Sequence, residues 1–291
     1  MKAFYNLWNK YLPTIGQIDA ALFIIACISG IPLALGYNVS KPYDSLELLA
    51  LTSEIGLFIR SVHYWSSHLF LVFTILHIIE YLTGFKKIKI KAPLWIRLII
   101  MVPVIFYLML SGFLLRGDSE ATLALEIFKG LINIIPGGSY LDFILLGKKG
   151  DYQIIYVHHI ATATIYVAAI TYEHVKRIWS DIVSMTLSLA TIFGLSLLIP
   201  VTLAAPDLTA TKGPWYFIGL QELLHWLPFP SFGITAPLLF LCLTGAYPFI
   251  NRKLQKITFW VLSISFIFYT LLTLIGFIFR GPYWRFITPW N

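Results

Sequence analysis

Seven long apolar segments constrain the fold of this chain more than any other feature of its sequence. Each approaches or exceeds the length of about 20 residues that a helix needs to cross the hydrocarbon core of a bilayer. The chain is 58% hydrophobic and only 12% charged, which is more apolar surface than a soluble core can bury. The sequence therefore predicts an all-α, polytopic membrane protein with about seven transmembrane helices. The segments are residues 18–37, 61–83, 95–115, 153–178, 182–204, 234–250 and 256–279.

Basic residues orient these segments, because most of them lie in loops that fall on one side of the membrane. By the positive-inside rule this side is cytoplasmic. The rule puts the N-terminus in the cytoplasm and the C-terminus on the outer side of an inner or plasma membrane. The net charge of +7 is therefore interpreted as topology, and no nucleic-acid partner is expected. The orienting residues are Lys86, Lys87, Lys89, Lys91, Lys176, Arg177, Arg252, Lys253 and Lys256.

The second segment carries two histidines that share one helix face. His63 and His77 are 14 residues apart, so their side chains leave the helix within about 40° of each other. They are separated by about 21 Å along the axis, which would put one imidazole near each edge of a hydrocarbon core about 30 Å thick. His68 is nine residues before His77 and faces the opposite side, so it is not a candidate partner.

The fourth segment carries a matching pair. His159 and His174 are 15 residues apart, about 60° out of register, and therefore share a face, whereas His158 is a poorer partner for His174. The loop charges make the second and fourth segments run in the same direction. We therefore expect His63 to meet His159 near the outer surface and His77 to meet His174 near the cytoplasmic surface.

Two histidine pairs stacked across a bilayer suit two haem b groups, because imidazole binds haem iron through one ring nitrogen. A single intramembrane histidine is also explained by a structural or proton-linked role. Two pairs at matched depth on two helices favour haem. A zinc or copper site fits less well, because each layer offers two imidazoles and no thiolate or carboxylate is expected at that depth.

Small and basic residues near the histidines extend the haem hypothesis. Gly30 and Gly36 in the first segment and Gly112 in the third would let a flat macrocycle approach the backbone. Packing between helices through small residues explains these glycines equally well. Arg60 lies one turn before His63 and could pair with a haem propionate, or it could anchor the helix at the membrane surface.

Four stretches of the sequence resemble the cytochrome b subunit of cytochrome bc-type quinol oxidoreductases, in particular bacterial and archaeal menaquinol types. The resemblance implies a dihaem four-helix cytochrome b domain at 1–180. It also implies a three-helix quinol-site domain at 181–291, similar to the companion subunit of short cytochromes b. The stretches are RSVHYWSSH (60–68) with a further histidine 14 residues after the first, ISGIPLALGY (28–37), SGFLLRGD (111–118) and IPGG…LLGKKG (135–150).

The long connection between the fifth and sixth segments departs from this family. The family carries Pro-Glu-Trp-Tyr at its outer quinol site, where the glutamate accepts a quinol proton. Here the matching stretch is Gly213-Pro214-Trp215-Tyr216, and a proline cannot take a proton. The resemblance therefore leaves Tyr216 at the quinol site and Glu222 as the nearest substitute carboxylate. An ordinary interfacial glutamate is the alternative interpretation of Glu222.

The resemblance implies transmembrane electron transfer through two b-type haems, coupled to quinol oxidation and quinone reduction. The chain would be a redox subunit of a respiratory-chain oxidoreductase and would not act alone. Expected partners are membrane lipid, a Rieske iron–sulfur protein and cytochrome c subunits, in a multi-subunit complex that could be dimeric. One alternative is a dihaem membrane anchor that passes electrons between the quinone pool and an extracytoplasmic redox subunit without splitting them. A non-redox structural or transporter subunit is the other.

Overall fold

A computed structural model describes residues 13–83, 91–147, 151–176, 179–203, 212–281 and 284–288. Within these ranges the chain forms eleven helices and no β-strand. A π turn, His158–Ala163, interrupts α7, and a 3-10 turn ends α10. In chain order the helices are α1 (Ile15–Gly36), α2 (Pro42–Thr52), α3 (Glu54–Leu82), α4 (Ala92–Leu114), α5 (Ser119–Ile132), α6 (Gly138–Leu146), α7 (Tyr152–Val175), α8 (Ile182–Leu198), α9 (Trp215–Trp226), α10 (Phe232–Phe249) and α11 (Arg252–Ile278).

Six of the described helices, α1, α3, α4, α7, α10 and α11, are long and apolar enough to cross a membrane. The remaining predicted segment, 182–204, coincides with α8. This helix has 17 residues and is shorter than the usual span of about 20. The predicted fold class, an all-α polytopic membrane protein, is confirmed.

The last helix shows how these spans meet their surroundings. Twelve large apolar side chains on α11 are exposed, and five of them recur at steps of three and four residues, which places these five in one stripe along the helix. An exposed apolar stripe on a helix long enough to span is expected to face lipid. The five residues are Trp260, Ile264, Ile267, Leu271 and Leu274.

The connection between α4 and α7 forms two short helices, where the sequence predicts short surface helices. Asp118 caps α5 by accepting a hydrogen bond from the backbone N–H of Ala121 at 2.9 Å. Arg116 pairs with this capping carboxylate and, at 2.9 Å, with Glu120. Gly137, the N-cap residue of α6, has a φ of 77°, a left-handed conformation that favours glycine. With 14 and 9 residues, neither helix can span, and their placement at the membrane surface stays a prediction.

The first of two compact units is organised around the packing of α1 and α8 on α3. The rings of Phe23 and Phe70 join α1 to α3, with centroids 5.1 Å apart. The indole of Trp65 on α3 donates to the carbonyl of Ile199, just after α8, at 3.0 Å. The unit takes in the described residues of Met1–Ile90, Ile100–Met109 and Ile160–Thr202.

The second compact unit is organised around α9 and α11. The hydroxyl of Tyr269 on α11 donates to the backbone carbonyl of Tyr216 on α9 at 2.6 Å. Trp95 at the start of α4 donates to the carbonyl of Gly245 in α10 at 3.1 Å. The unit takes in the described residues of Lys91–Ile99, Leu110–His159 and Leu203–Asn291.

The division into domains at 1–180 and 181–291 stays a prediction, and α8, assigned by sequence to the second domain, packs in the first compact unit. The membrane orientation also stays a prediction. Four of the basic residues that carry it, Lys86, Lys87, Lys89 and Arg177, lie outside the described residues.

Candidate functional site

His63 lies on α3 with its ring against α1. Its Nδ1 is 2.9 Å from the carbonyl oxygen of Ala26 and 3.4 Å from the hydroxyl of Ser29. Because a carbonyl oxygen only accepts, Nδ1 carries the proton and the metal-binding lone pair is on Nε2. A Cβ at Gly30 would lie 3.1 Å from Cε1 of this ring. Because Gly30 has no side chain, it leaves room for the imidazole of His63.

His159 lies on α7 with its ring against the end of α4, and its surroundings repeat those of His63. Its Nδ1 is 3.1 Å from the hydroxyl of Ser111. A Cβ at Gly112 would lie 2.7 Å from Cε1 of the ring, so no larger residue fits without moving the histidine. A Ser-Gly dipeptide, at 29–30 and at 111–112, thus supports each of the two predicted outer histidines.

His63 and His159 belong to different compact units, and each is described with its own neighbours. Their pairing, which rests on the spacing of the histidines in the sequence, stays a prediction. The structure does explain the unequal spacings of 14 and 15 residues. His159 lies within the π turn of α7, and a π turn takes up one more residue than an α turn. The extra residue is therefore accommodated in the helix itself.

The predicted inner pair is brought together within the first compact unit. The Nε2 atoms of His77 on α3 and His174 on α7 are 3.4 Å apart, and the ring centroids are 5.8 Å apart. Imidazole–metal bonds of about 2 Å, as found for zinc, would need two such nitrogens about 4 Å apart. The observed separation of 3.4 Å is about 0.6 Å shorter than this, so the two imidazoles could hold one metal between them after a small movement apart, as a bis-histidine haem would require.

A carboxylate lies beside this pair, and the expectation that none would be found at this depth is wrong. Oε2 of Glu80 is 3.2 Å from Nδ1 of His77. The two residues are one helical turn apart, an i,i+3 pair that sequence spacing alone could have indicated. The described residues contain no group of three or more histidine, cysteine, aspartate or glutamate side chains that could hold a metal ion.

The other two histidines of these helices, His68 and His158, contact backbone carbonyls close to them in the chain. Nδ1 of His68 is 2.8 Å from the carbonyl of Tyr64, one turn earlier on α3, and its ring stacks on the Tyr64 ring with centroids 3.8 Å apart. Nε2 of His158 is 2.8 Å from the carbonyl of Ile144 at the end of α6. Both rings are held by backbone carbonyls, and their lower ranking as ligands stays a prediction.

Arg60, the predicted propionate partner, is 8% exposed and contacts the chain beyond α8. Its guanidinium donates to the carbonyl of Val201 and, at 3.5 Å, to that of Thr202. The neighbouring Ser61 hydroxyl accepts from the backbone N–H of Val201 at 3.0 Å. Arg60 therefore fastens the end of α8 to α3, and the propionate contact stays a prediction.

Glu222, the predicted proton acceptor, is fully buried on α9 and surrounded by donors. Arg280 donates to both of its carboxylate oxygens, at 2.7 and 3.0 Å. The indoles of Trp284 and Trp226 donate at 2.7 and 2.6 Å. Burial alone would raise the pKa of this carboxyl, but the hydrogen bonds from Arg280, Trp284 and Trp226 and the Arg280 charge outweigh it and hold the pKa below its usual range.

This cluster of Glu222 with Arg280, Trp284 and Trp226 was not predicted as a unit. Arg280 lies 58 residues after Glu222, and no local spacing signals the contact. The cluster ties the C-terminal segment to α9, and a bridge between Arg280 and Phe286 folds that segment back on itself. A donor-saturated carboxylate of this kind is a weak base as long as the ion pair persists.

A cavity of about 520 Å³ lies between α5 and the end of α9, within the second compact unit. Its volume is in the range of sites for small molecules, about 300–1,000 Å³. Neither Tyr216 nor Glu222 is among the described lining residues, although Leu224, which does line it, follows Glu222 by two positions on α9. The lining is apolar and consists of Ile127, Gly130, Leu131, Ile134, Leu224, Pro228 and Pro230.

Known proteins are similar to this chain in sequence and in fold. The family described as cytochrome b/b6/petB matches residues 5–148, a region that includes His63 and His77 and ends before His159. Cytochrome b6 of Chlamydomonas reinhardtii is 26% identical over 156 residues, 50% of this chain and 72% of the relative. Cytochrome b6 of Prochlorococcus marinus strain NATL1A is 29% identical over 155 residues, 50% of this chain and 71% of the relative.

The fold similarity extends further along the chain than the sequence similarity. A chain of a solved structure described as hyperthermophilic respiratory Complex III aligns with a TM-score of 0.65 and 20% identity. The alignment covers 92% of this chain and 84% of that chain. Together with the histidines on α3 and α7 and their glycine-lined surroundings, these similarities place residues 5–148 in the cytochrome b family, whose members bind b-type haem in the membrane and transfer electrons.

Proposed function

We propose that this protein transfers electrons across the membrane through two b-type haems, coupled to quinol oxidation and quinone reduction in a bc-type respiratory complex. His63 and His159 would hold the outer haem, and His77 and His174 the inner one. The observation that carries the proposal is the approach of the His77 and His174 Nε2 atoms to 3.4 Å. When bound, each haem supplies a reversible one-electron carrier, which imidazole and carboxylate side chains alone do not.

The residues around the histidines would orient the ligands and leave room for the macrocycles. The Ala26 carbonyl fixes the tautomer of His63, and the Ser111 hydroxyl holds the His159 ring. Gly30 and Gly112 keep side chains away from these rings. Arg60, buried one turn before His63, remains the proposed partner of a haem propionate.

Replacing Gly112 tests the outer site. Gly112→Ala places a Cβ 2.7 Å from the His159 ring, closer than real Cβ contacts, so the imidazole must move. We expect purified protein to lose about half of its haem, measured by pyridine haemochrome against protein concentration. Gly194→Ala is the matched control, because a Cβ there meets no atom of the described residues within 4 Å. Full haem content in Gly112→Ala would contradict the assignment of His159.

Quinol oxidation is proposed in the cavity between α5 and the end of α9, near the predicted outer face. An apolar lining suits a hydrophobic quinol ring, and Tyr216 on α9 is proposed to act at the same site. Glu222 is proposed as the proton acceptor, on the condition that Arg280 and the two indoles release it, since the intact cluster keeps it a weak base.

Filling the cavity tests this placement. Gly130 is one of the lining residues, and a Cβ there meets no atom of the described part of the chain within 4 Å. Gly130→Phe therefore adds bulk at the lining without a collision of its Cβ with the described backbone. We expect the rate of haem reduction by an added quinol to fall at least tenfold, while the dithionite-reduced b-type spectrum stays normal. Gly130→Ala is the control and should keep the full rate. An unchanged rate in Gly130→Phe would rule out this cavity as the quinol site.

The alternative, a dihaem anchor that does not split the two electrons, is favoured by one observation. Pro214 stands where the family has its proton-accepting glutamate, and Glu222 is occupied by Arg280. Stopped-flow reduction of the haems by quinol, with the cytoplasmic quinone site blocked, separates the two functions. An outer-site inhibitor of the stigmatellin type abolishes this reduction if electrons are split. It leaves the reduction unchanged if the chain is a simple anchor.

Partners follow from the proposed function and are supported by the fold similarity to a chain of respiratory Complex III. We propose a multi-subunit, dimeric complex with a Rieske iron–sulfur protein or cytochrome c subunits. The proposed location is the inner or plasma membrane, with the N-terminus cytoplasmic and the C-terminus outside. Mild-detergent purification of the intact complex, followed by mass spectrometry of its subunits, tests the assembly.

A further inference from the structure

Glu80 lies one turn beyond His77 on α3 and touches the ring of that histidine. Its Oε2 is 3.2 Å from Nδ1, and the Glu80 side chain is only 11% exposed. An ionised carboxylate is an acceptor only, so Nδ1 donates and the tautomer of His77 is set with its lone pair on Nε2. This Nε2 is the atom that faces His174 at 3.4 Å.

The histidines of the outer layer have Nδ1 partners of a different chemical kind. His63 faces the neutral carbonyl of Ala26 at 2.9 Å, and His159 faces the neutral hydroxyl of Ser111 at 3.1 Å. A carboxylate draws the Nδ1 proton of His77 more strongly than the Ala26 carbonyl draws that of His63, and it adds a negative charge. The Nδ1 neighbours of His63 and His159 therefore differ in charge from that of His77.

We propose that Glu80 is a positioning residue that lowers the reduction potential of the inner haem, an inference that rests on the proposed function. A hydrogen bond from the second ring nitrogen to a carboxylate makes an imidazole a more basic ligand. A more basic ligand and a nearby negative charge both stabilise the oxidised iron, which carries one more positive charge than the reduced iron. Reduction of the inner haem thus becomes less favourable than ligation by His77 and His174 alone would make it.

The consequence concerns the acceptor at the cytoplasmic face. An inner haem of lower potential retains its electron less strongly and can pass it to a quinone of lower potential. Glu80 would therefore match the inner layer to a low-potential quinone.

Glu173 offers a matched control on the other helix. It immediately precedes His174 and pairs with Lys176 at 2.8 Å, with side chains 52% and 43% exposed. Its carboxylate is thus adjacent in sequence to an inner ligand but is directed to a surface lysine and is screened by solvent. Removing the charge of Glu173 tests whether any nearby carboxylate suffices.

The experiment is a redox titration of the purified complex, followed at the b-type absorption, in wild type, Glu80→Gln and Glu173→Gln. Glutamine keeps an acceptor oxygen for Nδ1 and removes the charge. We expect Glu80→Gln to raise the midpoint potential of the inner haem by about 59 mV. For one electron this is a tenfold change in the oxidised-to-reduced ratio at a given potential. The midpoint potential of the outer haem should stay unchanged. Glu173→Gln should change the oxidised-to-reduced ratio of neither haem by more than about twofold. Glu80→Asp, which keeps the charge but shortens the reach, should lie between wild type and Glu80→Gln.

The inner wave is identified as the one that disappears in His77→Leu and again in His174→Leu. If Glu80→Gln keeps both waves at wild-type potentials, or loses the inner haem altogether, Glu80 does not set the potential and the proposal is wrong. An equal shift in Glu173→Gln would also overturn it, because the contact with His77 would then be irrelevant. A wild type without two waves, or two waves surviving in both histidine variants, would instead contradict the proposed function itself.

Discussion

His77→Leu is expected to remove one of two b-type haems and to leave the other bound. The His77 Nε2 faces that of His174 at 3.4 Å, and one imidazole cannot replace the pair. The haem-to-protein ratio should fall by half in the pyridine haemochrome assay, and one of two redox waves should vanish. Transmembrane electron transfer, followed as quinone reduction on the cytoplasmic side of proteoliposomes, should fall by at least a hundredfold.

His68→Leu is the matched control for this experiment. His68 lies on the same helix, but its Nδ1 contacts the carbonyl of Tyr64 at 2.8 Å and its ring stacks on Tyr64. We expect it to keep both haems and both waves. Loss of haem in His68→Leu, or a full haem content in His77→Leu, would mean that the inner pair is assigned to the wrong residues.

Arg280→Met is expected to be the most destabilising substitution in the second compact unit. It leaves the fully buried Glu222 carboxylate without its cationic partner, which costs about 3–5 kcal/mol for a buried pair. Thermal unfolding in detergent, followed by tryptophan fluorescence, should show a large fall in Tm. The double variant with Glu222→Leu should recover part of the loss, because no buried charge is then left alone.

Lys176→Met is the control for a salt bridge at the surface. Its pair with Glu173 at 2.8 Å is roughly half exposed, and such pairs contribute about 0–1 kcal/mol. A fall in Tm for Arg280→Met no larger than that for Lys176→Met would show that the Glu222 cluster does not hold the C-terminal segment.

The contribution of the Glu222 cluster to the stability of the folded protein depends on pH. The pKa of Glu222 is held below its usual range in the folded protein, so the unfolded chain binds the proton more readily. The contribution of the cluster to stability is therefore fully present above the ordinary glutamate pKa, about 4.3. It is lost as the pH falls through the lower folded-state pKa. Unfolding between pH 3 and 7 should show this loss in wild type and much less of it in Glu222→Gln.

This pH dependence bears on the proposed proton acceptor. A carboxylate whose protonation weakens its own ion pair accepts a quinol proton only after Arg280 has moved. Quinol oxidation that continues unchanged in Glu222→Gln would remove Glu222 from the mechanism and leave it the structural role that its four donors indicate.

The membrane class and the histidine faces could be predicted from sequence because they depend on local regularities. Hydrophobic length and the helical repeat are carried by consecutive residues, so the spans and the shared faces of His63 with His77 and of His159 with His174 follow directly. The family resemblance came from short stretches around the same residues. The Ser-Gly dipeptides at 29–30 and 111–112 are equally visible in the sequence, but no local regularity marks Ser29 and Ser111 as neighbours of the histidines.

The contacts between distant parts of the chain could not be predicted in this way. The spacing of the histidines predicts that His77 and His174, 97 positions apart, lie close together. The distance between them is set by the packing of α3 and α7. The ion pair between Glu222 and Arg280 has no local signal in the sequence. The partner of a buried charge is determined by burial and geometry and not by sequence separation.

The sequence by itself determined that this chain crosses a membrane and carries histidines at two depths on two helices. Only the tertiary structure decided what surrounds each of these side chains. It put Glu80 against an inner histidine, neutral partners against the outer ones, and four donors around the one carboxylate expected to take a proton. The physical reason is that helix periodicity sets the direction of a side chain, whereas its partner and its charge state depend on which other helix occupies that direction.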